Sequence, residues 1–494
     1  MGIVIRQSFW SSIAAYIGVG IGYLNVVVLM PKYLTPDEIG LYRTILSTAA
    51  LFAPIPLFGL RSAFLRFFPR NTERQNGILV YLGVVVFGAL SFILIGIALL
   101  LRPWLKTYFI ENAPAINDYL WLILLLIFLM GVYGLLEAIL KAKKDITTPS
   151  FIRESLYKGL QAVAVVLVGF ALIDVHHFLV YQGYIYLLII AITFVFVIRK
   201  FRFRFSASKS EIKDAGSGEF FLYARYALLS GLGTAAVLQV DQIMISKYLG
   251  LAPNAIYTTA IFMAVVIEMP RRFIAQITQP IMVKDFKAGR LQKINQDYKK
   301  ASINQLIIGA YIFLGIVINL PNIYSLMPNG EIYSSGLTIV YIIGFAKLIN
   351  MIFSTNGEII VMSDHYRVNI ILIASLGVMT VCSNLLLIPR YGIEGAAYAS
   401  LLTFFLFNLI KFFYIKTKFD FSPFSKWTLP TIAIIPLCLF INSQFVYADF
   451  VLIDILVRSV ILSLIFLLFV LFAKPSKELI EMWKRAGSKV GLGK

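Results

Sequence analysis

Continuous apolar runs of about 20 residues recur along the whole chain, and they constrain its fold more than any other feature. Each run is long enough to cross a hydrocarbon core of about 30 Å as an α-helix. A transmembrane β-barrel shows instead short segments of about 10 residues in which apolar and polar residues alternate. Hydrophobic residues make up 59% of the 494 positions, above the roughly 45–50% of soluble domains. The sequence therefore predicts an all-α polytopic membrane protein.

Fourteen spans are predicted from these runs, and the distribution of charge tests their number. The spans cover residues 8–30, 41–60, 77–101, 118–140, 151–173, 177–198, 220–246, 254–280, 301–320, 335–360, 368–388, 393–415, 427–444 and 450–473. With a cytoplasmic N-terminus, the inner segments carry 32 lysines and arginines, whereas the outer loops carry only Lys32, Arg102, Lys106, Lys247 and Arg390. Because this asymmetry follows the positive-inside rule, both termini are predicted to be cytoplasmic. Topology and lipid headgroups therefore explain most of the net charge of +19, and no nucleic-acid partner is expected.

A short segment that occurs twice indicates an internal duplication. The segment KYLTPDEIGLYRT, which begins at Lys32, aligns without a gap with KYLGLAPNAIYTT, which begins 215 residues later at Lys247. Each copy is the outer turn after the first helix of a six-helix group, so the two groups have the same membrane orientation. Parallel repeats of this kind are related by an axis along the membrane normal and alternate the access of a central pathway. The cavity is expected between helices 1, 2, 7 and 8, with a contribution from helix 10.

The predicted organisation is therefore two parallel six-helix bundles followed by two extra C-terminal helices. Residues 1–200 form the N-terminal six-helix bundle, residues 201–219 a basic cytoplasmic linker, and residues 220–416 the C-terminal six-helix bundle. Residues 417–494 form helices 13 and 14 with a basic cytoplasmic tail. These last two helices lie outside the duplication.

Four segments carry a resemblance to a known family. They are PKYLTPDEIGLYRT (31–44), DQIMISKYLG (241–250) with the following Tyr257, NGEIIVMSDHYRV (356–368) and IPRYGIEGAAYASL (388–401). With its layout of six, six and two helices, the chain resembles the polysaccharide flippases of the multidrug/oligosaccharidyl-lipid/polysaccharide exporter superfamily. That superfamily also holds multidrug-and-toxin extruders, whose MATE-like fold is implied, and lipid II flippases. The motifs are structural, so they identify the family better than the substrate.

The resemblance implies a role in the synthesis of cell-surface polysaccharide. Such flippases move an oligosaccharide repeat linked to undecaprenyl pyrophosphate from the cytoplasmic to the periplasmic leaflet of the bacterial inner membrane. The implied partners are this lipid-linked oligosaccharide and the membrane lipids, with the polysaccharide polymerase machinery as a further candidate. No cofactor is expected, and H⁺ or Na⁺ is the candidate coupling ion.

Basic residues within or beside the predicted spans are the candidate ligands for a pyrophosphate. A charge deep in a membrane helix is costly unless it faces protein or a wet cavity, and arginine binds phosphate oxygens in a bidentate manner. Arg271 and Arg272 alternatively pair with Glu268 inside helix 8, and Arg61 alternatively serves topology alone. The predicted substrate-binding residues are Arg43, Arg61, Arg271, Arg272, Lys347, Asn25 and Gln239.

Asp241 and Glu268 are the candidate ion-coupling residues. Asp241 lies in helix 7 and is expected to reach Arg43 in helix 2, so it either exchanges H⁺ or Na⁺ or forms an ion pair with Arg43. Glu358, near the inner end of helix 10, is expected in water. The three histidines have no cysteine or carboxylate cluster around them, so no metal site is expected. No catalytic residue is assigned.

Two other functions compete with the flippase. An ion-coupled multidrug antiporter of the same superfamily needs acids in its cavity, whereas the deep charges here are mainly basic. A membrane glycosyl-polymerase or ligase needs a large outer catalytic segment, but the longest outer loop, RPWLKTYFIENAPAIND, is short and has no paired acid and base. The sequence therefore predicts a transporter rather than an enzyme, and no G-x-x-x-x-G-K-[ST] motif indicates direct use of ATP.

Overall fold

The computed structural model describes residues 16–201, 203, 208–363, 365–445 and 450–476, without the side chains of residues 272, 273, 276, 277, 280, 366 and 367. Every regular element within these ranges is helical, which confirms the predicted fold class. Helices α1 to α10 are 16–33, Pro36–Leu57 with Leu60–Arg70, Glu73–Leu100, Leu120–Ala142, 147–169, Val175–Lys200, Ser217–Leu249, 251–287, Leu291–Leu326, and Leu337–Phe353 with Asn356–Met362. Tyr366–Phe419 contains α11 and α12, which are divided by a kink at Gly392. Thr428–Ser443 and Val451–Ala473 are α13 and α14.

These helices correspond one to one with the predicted spans, although not all of them meet a strict criterion for crossing a membrane. Within the described ranges, eight helices are long and apolar enough, and the bent pairs in α2 and α10 raise the number to ten. Helix α13 is apolar but shorter than 18 residues, and α11 runs into α12 through a kink at Gly392. The chain is a multi-pass membrane protein, and the total of fourteen crossings stays a prediction.

The first residues of two helices are separated by the same offset as the repeated segments of the sequence. Helix α2 begins at Pro36 and α8 begins at Leu251, which reproduces the offset of 215 between the repeated segments. The backbone N–H of Ala252 donates to Asp37 Oδ1 at 3.1 Å, and these two residues are themselves 215 positions apart. Residues at equivalent positions of two repeats meet only near the axis that relates the repeats, so this contact supports the duplication.

Helix α2 bends by 50° between Pro36–Leu57 and Leu60–Arg70. Pro54 and Pro56 lack the backbone N–H groups that would continue the helix. Phe58 and Gly59 adopt left-handed backbone conformations, with φ angles of 45° and 70°. A Cβ atom at Gly59 would overlap the carbonyl oxygen of Ala224 in α7, so glycine is required there. The bend redirects the C-terminal part of α2 towards α4.

By contact density, the chain divides into two compact units. Unit 1 comprises Met1–Thr258 and Ile370–Ala396, and unit 2 comprises Thr259–Asn369 and Ala397–Lys494. Helix α7 belongs to unit 1 because it packs along α2. The predicted bundle boundaries describe the duplication rather than contact density, so they stay a prediction.

Within unit 2, helices α13 and α14 pack on α9, and a buried ion pair helps to hold them there. Asp454 Oδ2 in α14 accepts hydrogen bonds of 2.6 Å from Arg458 Nε and from Asn322 Nδ2 of α9. Arg458 also donates to Asn442 at the end of α13. Because each of these charges has a partner inside the protein, neither has to face lipid.

Candidate functional site

A buried carboxylate in α4 binds three cations from three helices of unit 1. The Glu137 side chain is only 2% exposed. Arg61 Nη2 of α2 donates to Oε2, while Lys141 Nζ of α4 and Arg153 Nη1 of α5 donate to Oε1 at 2.7 and 3.3 Å. Three cations on one anion leave the cluster with a net charge of +2. We call these four residues the Glu137 cluster.

The local structure explains why these side chains meet. The bend in α2 turns Arg61 towards α4, whereas Lys141 follows Glu137 at the i+4 spacing that places both on one face. Arg153 lies in a π-helical segment, Ile152–Leu156, within α5. Single π-helical turns inside α-helices occur frequently at functional sites. Arg153 also contacts its neighbour Glu154, whose Oε1 accepts a hydrogen bond from Arg153 Nε at 3.0 Å.

Arg61, Glu137 and Arg153 of this cluster line a cavity of about 220 Å³, together with the aromatic side chains of Tyr133, Tyr157 and Tyr186. The Arg61 side chain is 44% exposed and that of Arg153 is 48% exposed, so both guanidinium groups keep N–H donors for a further ligand. A second cavity of about 410 Å³, between α2 and α7, is also lined by Arg61 and by the predicted Gln239. Arg61 is therefore common to these two cavities.

Unit 2 contains a second cluster of opposite charges, which is built on α8 and α10. Glu268 Oε1 lies 3.3 Å from Arg271 Nη1, and Glu268 Oε2 lies 3.1 Å from Lys347 Nζ. Arg271 also approaches Glu358 at 3.6 Å and donates to the carbonyl oxygen of Ser354 at 3.0 Å. We call Glu268, Arg271, Lys347 and Glu358 the Glu268 cluster.

Helix α12 adds a third cation beside the Glu268 cluster. Lys411 is buried, its Nζ lies 4.0 Å from the centre of the Phe407 ring, and it interacts electrostatically with Glu358 and Arg271. Lys347 Nζ similarly lies 4.7 Å from the Phe404 ring of α12. With Lys411 the group has three cations and two carboxylates, so its net charge is +1.

The structure brings some of the predicted site residues together and separates others. Arg271 contacts Glu268 as in the ion pair predicted within α8, and Lys347 of α10, which was predicted to line the cavity, contacts the same carboxylate. Arg61 belongs to the Glu137 cluster. The side chain of Arg272 lies outside the described residues.

Asn25 lies in the π-helical segment Leu24–Leu29 of α1. It is buried, and its Oδ1 accepts no hydrogen bond from any described residue.

The expected ion pair between Asp241 and Arg43 is not formed. Asp241 is buried and accepts hydrogen bonds from Tyr257 at 2.7 Å and from Asn384 of α11 at 2.5 Å. Arg43 Nη2 points instead to the sulfur of Met30 at 3.9 Å, and its guanidinium lies 5.4 Å from the Tyr42 ring. A hydroxyl and an amide thus donate to Asp241 where the sequence predicted a guanidinium from α2.

Several cluster residues were not identified from the sequence. The topology rule alone accounts for Lys141, Arg153 and Lys411, because they lie near the predicted cytoplasmic ends of helices, and Glu137 is not among the predicted site residues. The expectation that Glu358 is in water is wrong, since its side chain is only 14% exposed. The available signal was Glu137 itself, an acid inside an apolar run four residues before a lysine.

The chain is similar in sequence to a known protein family and to one curated relative. The family model described as polysaccharide biosynthesis protein matches residues 4–285. An uncharacterized membrane protein of Methanocaldococcus jannaschii is 22% identical over 452 residues, which cover 86% of each chain.

Among solved structures, the lipid II flippase MurJ in an inward closed conformation matches with a TM-score of 0.69 at 13% identity, covering 94% of this chain and 98% of that one. An inward-facing multidrug resistance transporter of the MATE family matches with a TM-score of 0.58 at 15% identity, covering 82% and 94%. At these identities the two matches establish the fold.

Proposed function

Since the chain belongs to the polysaccharide biosynthesis protein family, we propose that it is an alternating-access flippase for a lipid-linked oligosaccharide. The cargo is an oligosaccharide repeat on undecaprenyl pyrophosphate, and it moves from the cytoplasmic to the periplasmic leaflet of a bacterial inner membrane. The lipid tail stays in the bilayer while the pyrophosphate and the sugars pass through the protein. The MATE-like and MurJ-like fold supports this mechanism, because its repeated halves suit alternating access.

The observation that carries the proposal is the Glu137 cluster at the wall of a cavity. Glu137 holds Arg61 and Arg153 in position but occupies few of their N–H donors. Each guanidinium has five donors in a fixed fork, which matches the oxygens of phosphate groups. Glu154, which contacts Arg153, is itself paired with Lys158, so the net charge around the cluster stays +2. This charge is suited to a pyrophosphate, and partial exposure of both arginines gives the ligand access.

The Glu268 cluster supports an anionic cargo in the same way. Its cations Arg271 and Lys347 come from two helices and are oriented by the buried carboxylate of Glu268. Helices α8 and α10 are the repeat equivalents of α2 and α4, which carry Arg61 and Glu137. We propose that each half of the duplication retains one cationic cluster for the pyrophosphate.

Three tyrosines are the proposed contacts for the sugars. Tyr133, Tyr157 and Tyr186 line the cavity of the Glu137 cluster, and the rings of Tyr157 and Tyr186 lie with their centroids 5.2 Å apart. Aromatic rings combine an apolar face with a polar hydroxyl, which suits a sugar ring with its own apolar face and hydroxyl groups.

Asp241 is the proposed site of coupling to H⁺ or Na⁺. It is a buried carboxylate in α7 that accepts hydrogen bonds from Tyr257 and Asn384. Glu268, the other candidate, contacts both Arg271 and Lys347. Cations already occupy the position that a coupling ion would take at Glu268, and we therefore favour Asp241.

Transport in proteoliposomes tests the proposal. A fluorescent polyprenyl-pyrophosphate glycan is supplied in one leaflet, and its arrival in the other is measured for the wild type and for Arg61→Gln/Arg153→Gln. We expect the double variant to flip at least tenfold more slowly, since a hydrogen bond to a charged group contributes about 1.5–3 kcal/mol. The flipping rates of Arg271→Gln and Lys347→Gln, measured in the same assay, test the Glu268 cluster, and we expect both to be lowered.

Arg74→Gln is the matched control, because Arg74 pairs with Glu211 on the surface and its side chain is 66% exposed. This variant should flip at the wild-type rate. Equal rates for the control and the double variant would refute a role of the Glu137 cluster. Failure on several glycans together with export of a small organic cation would identify a multidrug antiporter instead.

A further inference from the structure

A large apolar cavity lies at the outer side of unit 1, away from the charged clusters. Its volume is about 630 Å³, and it is lined by α3, α4 and the short helix Arg102–Phe109 that follows α3. Phe109, Ile123 and Ile127 are buried lining residues, whereas Trp104 and Trp121 line it and are exposed. Tryptophan is enriched at the level of the lipid headgroups, so the mouth of this outer cavity is expected at that depth.

The basic residues at this cavity are unusual for their side of the membrane. Arg102 and Lys106 both line it, and they are two of the five basic residues assigned to the outer loops. The positive-inside rule disfavours lysine and arginine there, so topology does not explain them. Asp118 lines the cavity too, which leaves a net charge of +1.

The short helix is held over the cavity by the segment that follows it. Asn117 Nδ2 donates to the carbonyl oxygen of Lys106 at 3.2 Å. Arg102 and Lys106 are four residues apart and therefore lie on one face of the helix. An apolar cavity of several hundred Å³ with a few polar groups at one side is typical of a ligand site.

We propose that this outer cavity binds an acyl chain of an anionic phospholipid from the outer leaflet, with the headgroup phosphate at Arg102 and Lys106. The chain contacts the apolar side chains of α3 and α4, and Trp104 and Trp121 lie beside the glycerol region. The site goes beyond the flippase function, since it concerns a membrane lipid that is not transported.

Photo-crosslinking in membranes tests this site on the full chain. The probe is phosphatidylglycerol with a photoreactive group in one acyl chain, and phosphatidylcholine with the same group is the neutral comparison. We expect crosslinks to phosphatidylglycerol to concentrate in residues 94–127. Arg102→Gln/Lys106→Gln should lower this labelling roughly 25-fold, because each basic residue near an anionic surface contributes a factor of about five. Ala98→Phe, which fills the cavity lined by Ala98, should abolish labelling by both lipids.

Lys32→Gln/Arg390→Gln is the control, because it removes two outer charges that do not line this cavity. It should leave labelling of residues 94–127 unchanged. Labelling spread evenly over the lipid-facing helices, or equal loss in both double variants, would overturn the proposal. Equal labelling by both lipids would overturn the role of Arg102 and Lys106. Because the readout is labelling rather than transport, none of these outcomes depends on the flippase function.

Discussion

At the scale of single residues, Glu137 determines where three cations lie. Its carboxylate accepts hydrogen bonds from Arg61, Lys141 and Arg153, and it is almost completely buried. Burying a carboxylate costs free energy unless a cation pairs with it. Three cations so close together would in turn repel one another if the carboxylate lost its charge. The arginines are thus oriented before any ligand arrives, which reduces the entropy that binding would otherwise cost.

We predict that Glu137→Gln destabilises the protein by about 1–2 kcal/mol. The substitution keeps the shape of the side chain but removes the charge that holds three cations together. A hydrogen bond to a charged group contributes about 1.5–3 kcal/mol, and the partial exposure of the three cations lowers this value. Thermal unfolding in detergent measures the change.

Glu73→Gln is the control, because Glu73 pairs with Lys143 but its side chain is 78% exposed. It should change stability by less than about 0.5 kcal/mol. Adding Arg153→Gln to Glu137→Gln should recover part of the loss by relieving repulsion between the cations. Equal stability of the two single variants would contradict the organising role of Glu137.

At the scale of helices, the beginnings of α2 and α8 are in close contact. A Cβ atom at Gly40 would overlap the backbone carbonyl group of Leu251. Thr44 Oγ1 lies 2.6 Å from Ser246 Oγ of α7 and accepts from Asn254 Nδ2 at 3.0 Å. All of these residues lie in the outer half of their helices under the predicted topology. The outer ends of α2, α7 and α8 therefore form a closed contact that requires glycine at position 40.

We predict that Gly40→Val opens this outer contact. The larger side chain prevents the approach of α2 to α8, so water should reach the buried Ser246. The assay labels Ser246→Cys with a membrane-impermeant thiol reagent from outside, in a chain whose Cys382 and Cys438 are replaced. Labelling should be slow with Gly40 present and at least tenfold faster with Gly40→Val.

Gly88→Val is the control for this experiment. A Cβ atom at Gly88 in α3 would meet no atom within 4 Å, so the substitution adds the same side chain without a clash. Labelling of Ser246→Cys should then stay slow. Slow labelling in the Gly40→Val protein, with normal insertion in the membrane, would show that the contact is not a closure of the outer side.

At the scale of the whole molecule, the asymmetry of basic residues predicts which loops are cytoplasmic. In a chain without its native cysteines, Lys106→Cys should react with an impermeant reagent added outside intact cells. Lys293→Cys, in the first turn of α9, should react only after the membrane is permeabilised. The reverse pattern would invert the topology and would place Arg102 and Lys106 on the cytoplasmic side.

Much of the fold was predictable from local sequence. The helices coincide with the apolar runs because the hydrocarbon core requires about 20 apolar residues for each crossing. The duplication was visible in the recurrence from Lys32 to Lys247, and it reappears in the beginnings of α2 and α8. Arg271, Lys347 and Glu268 were identified as candidates because charges inside apolar runs are conspicuous. Arg153 and Lys411 were missed, since charges near helix ends also satisfy the topology rule.

By itself, the sequence determined the helical class, the family and the kinds of residues available for an anionic ligand. These properties depend on hydrophobicity and motifs that are contained in short segments. Only the tertiary structure decided which charges meet. Arg61 and Glu137 are 76 residues apart, and their contact depends on the bend at Gly59 and on the rotation of α4. Such contacts are set by packing between distant segments, and packing also gave Asp241 the neutral partners Tyr257 and Asn384 in place of Arg43.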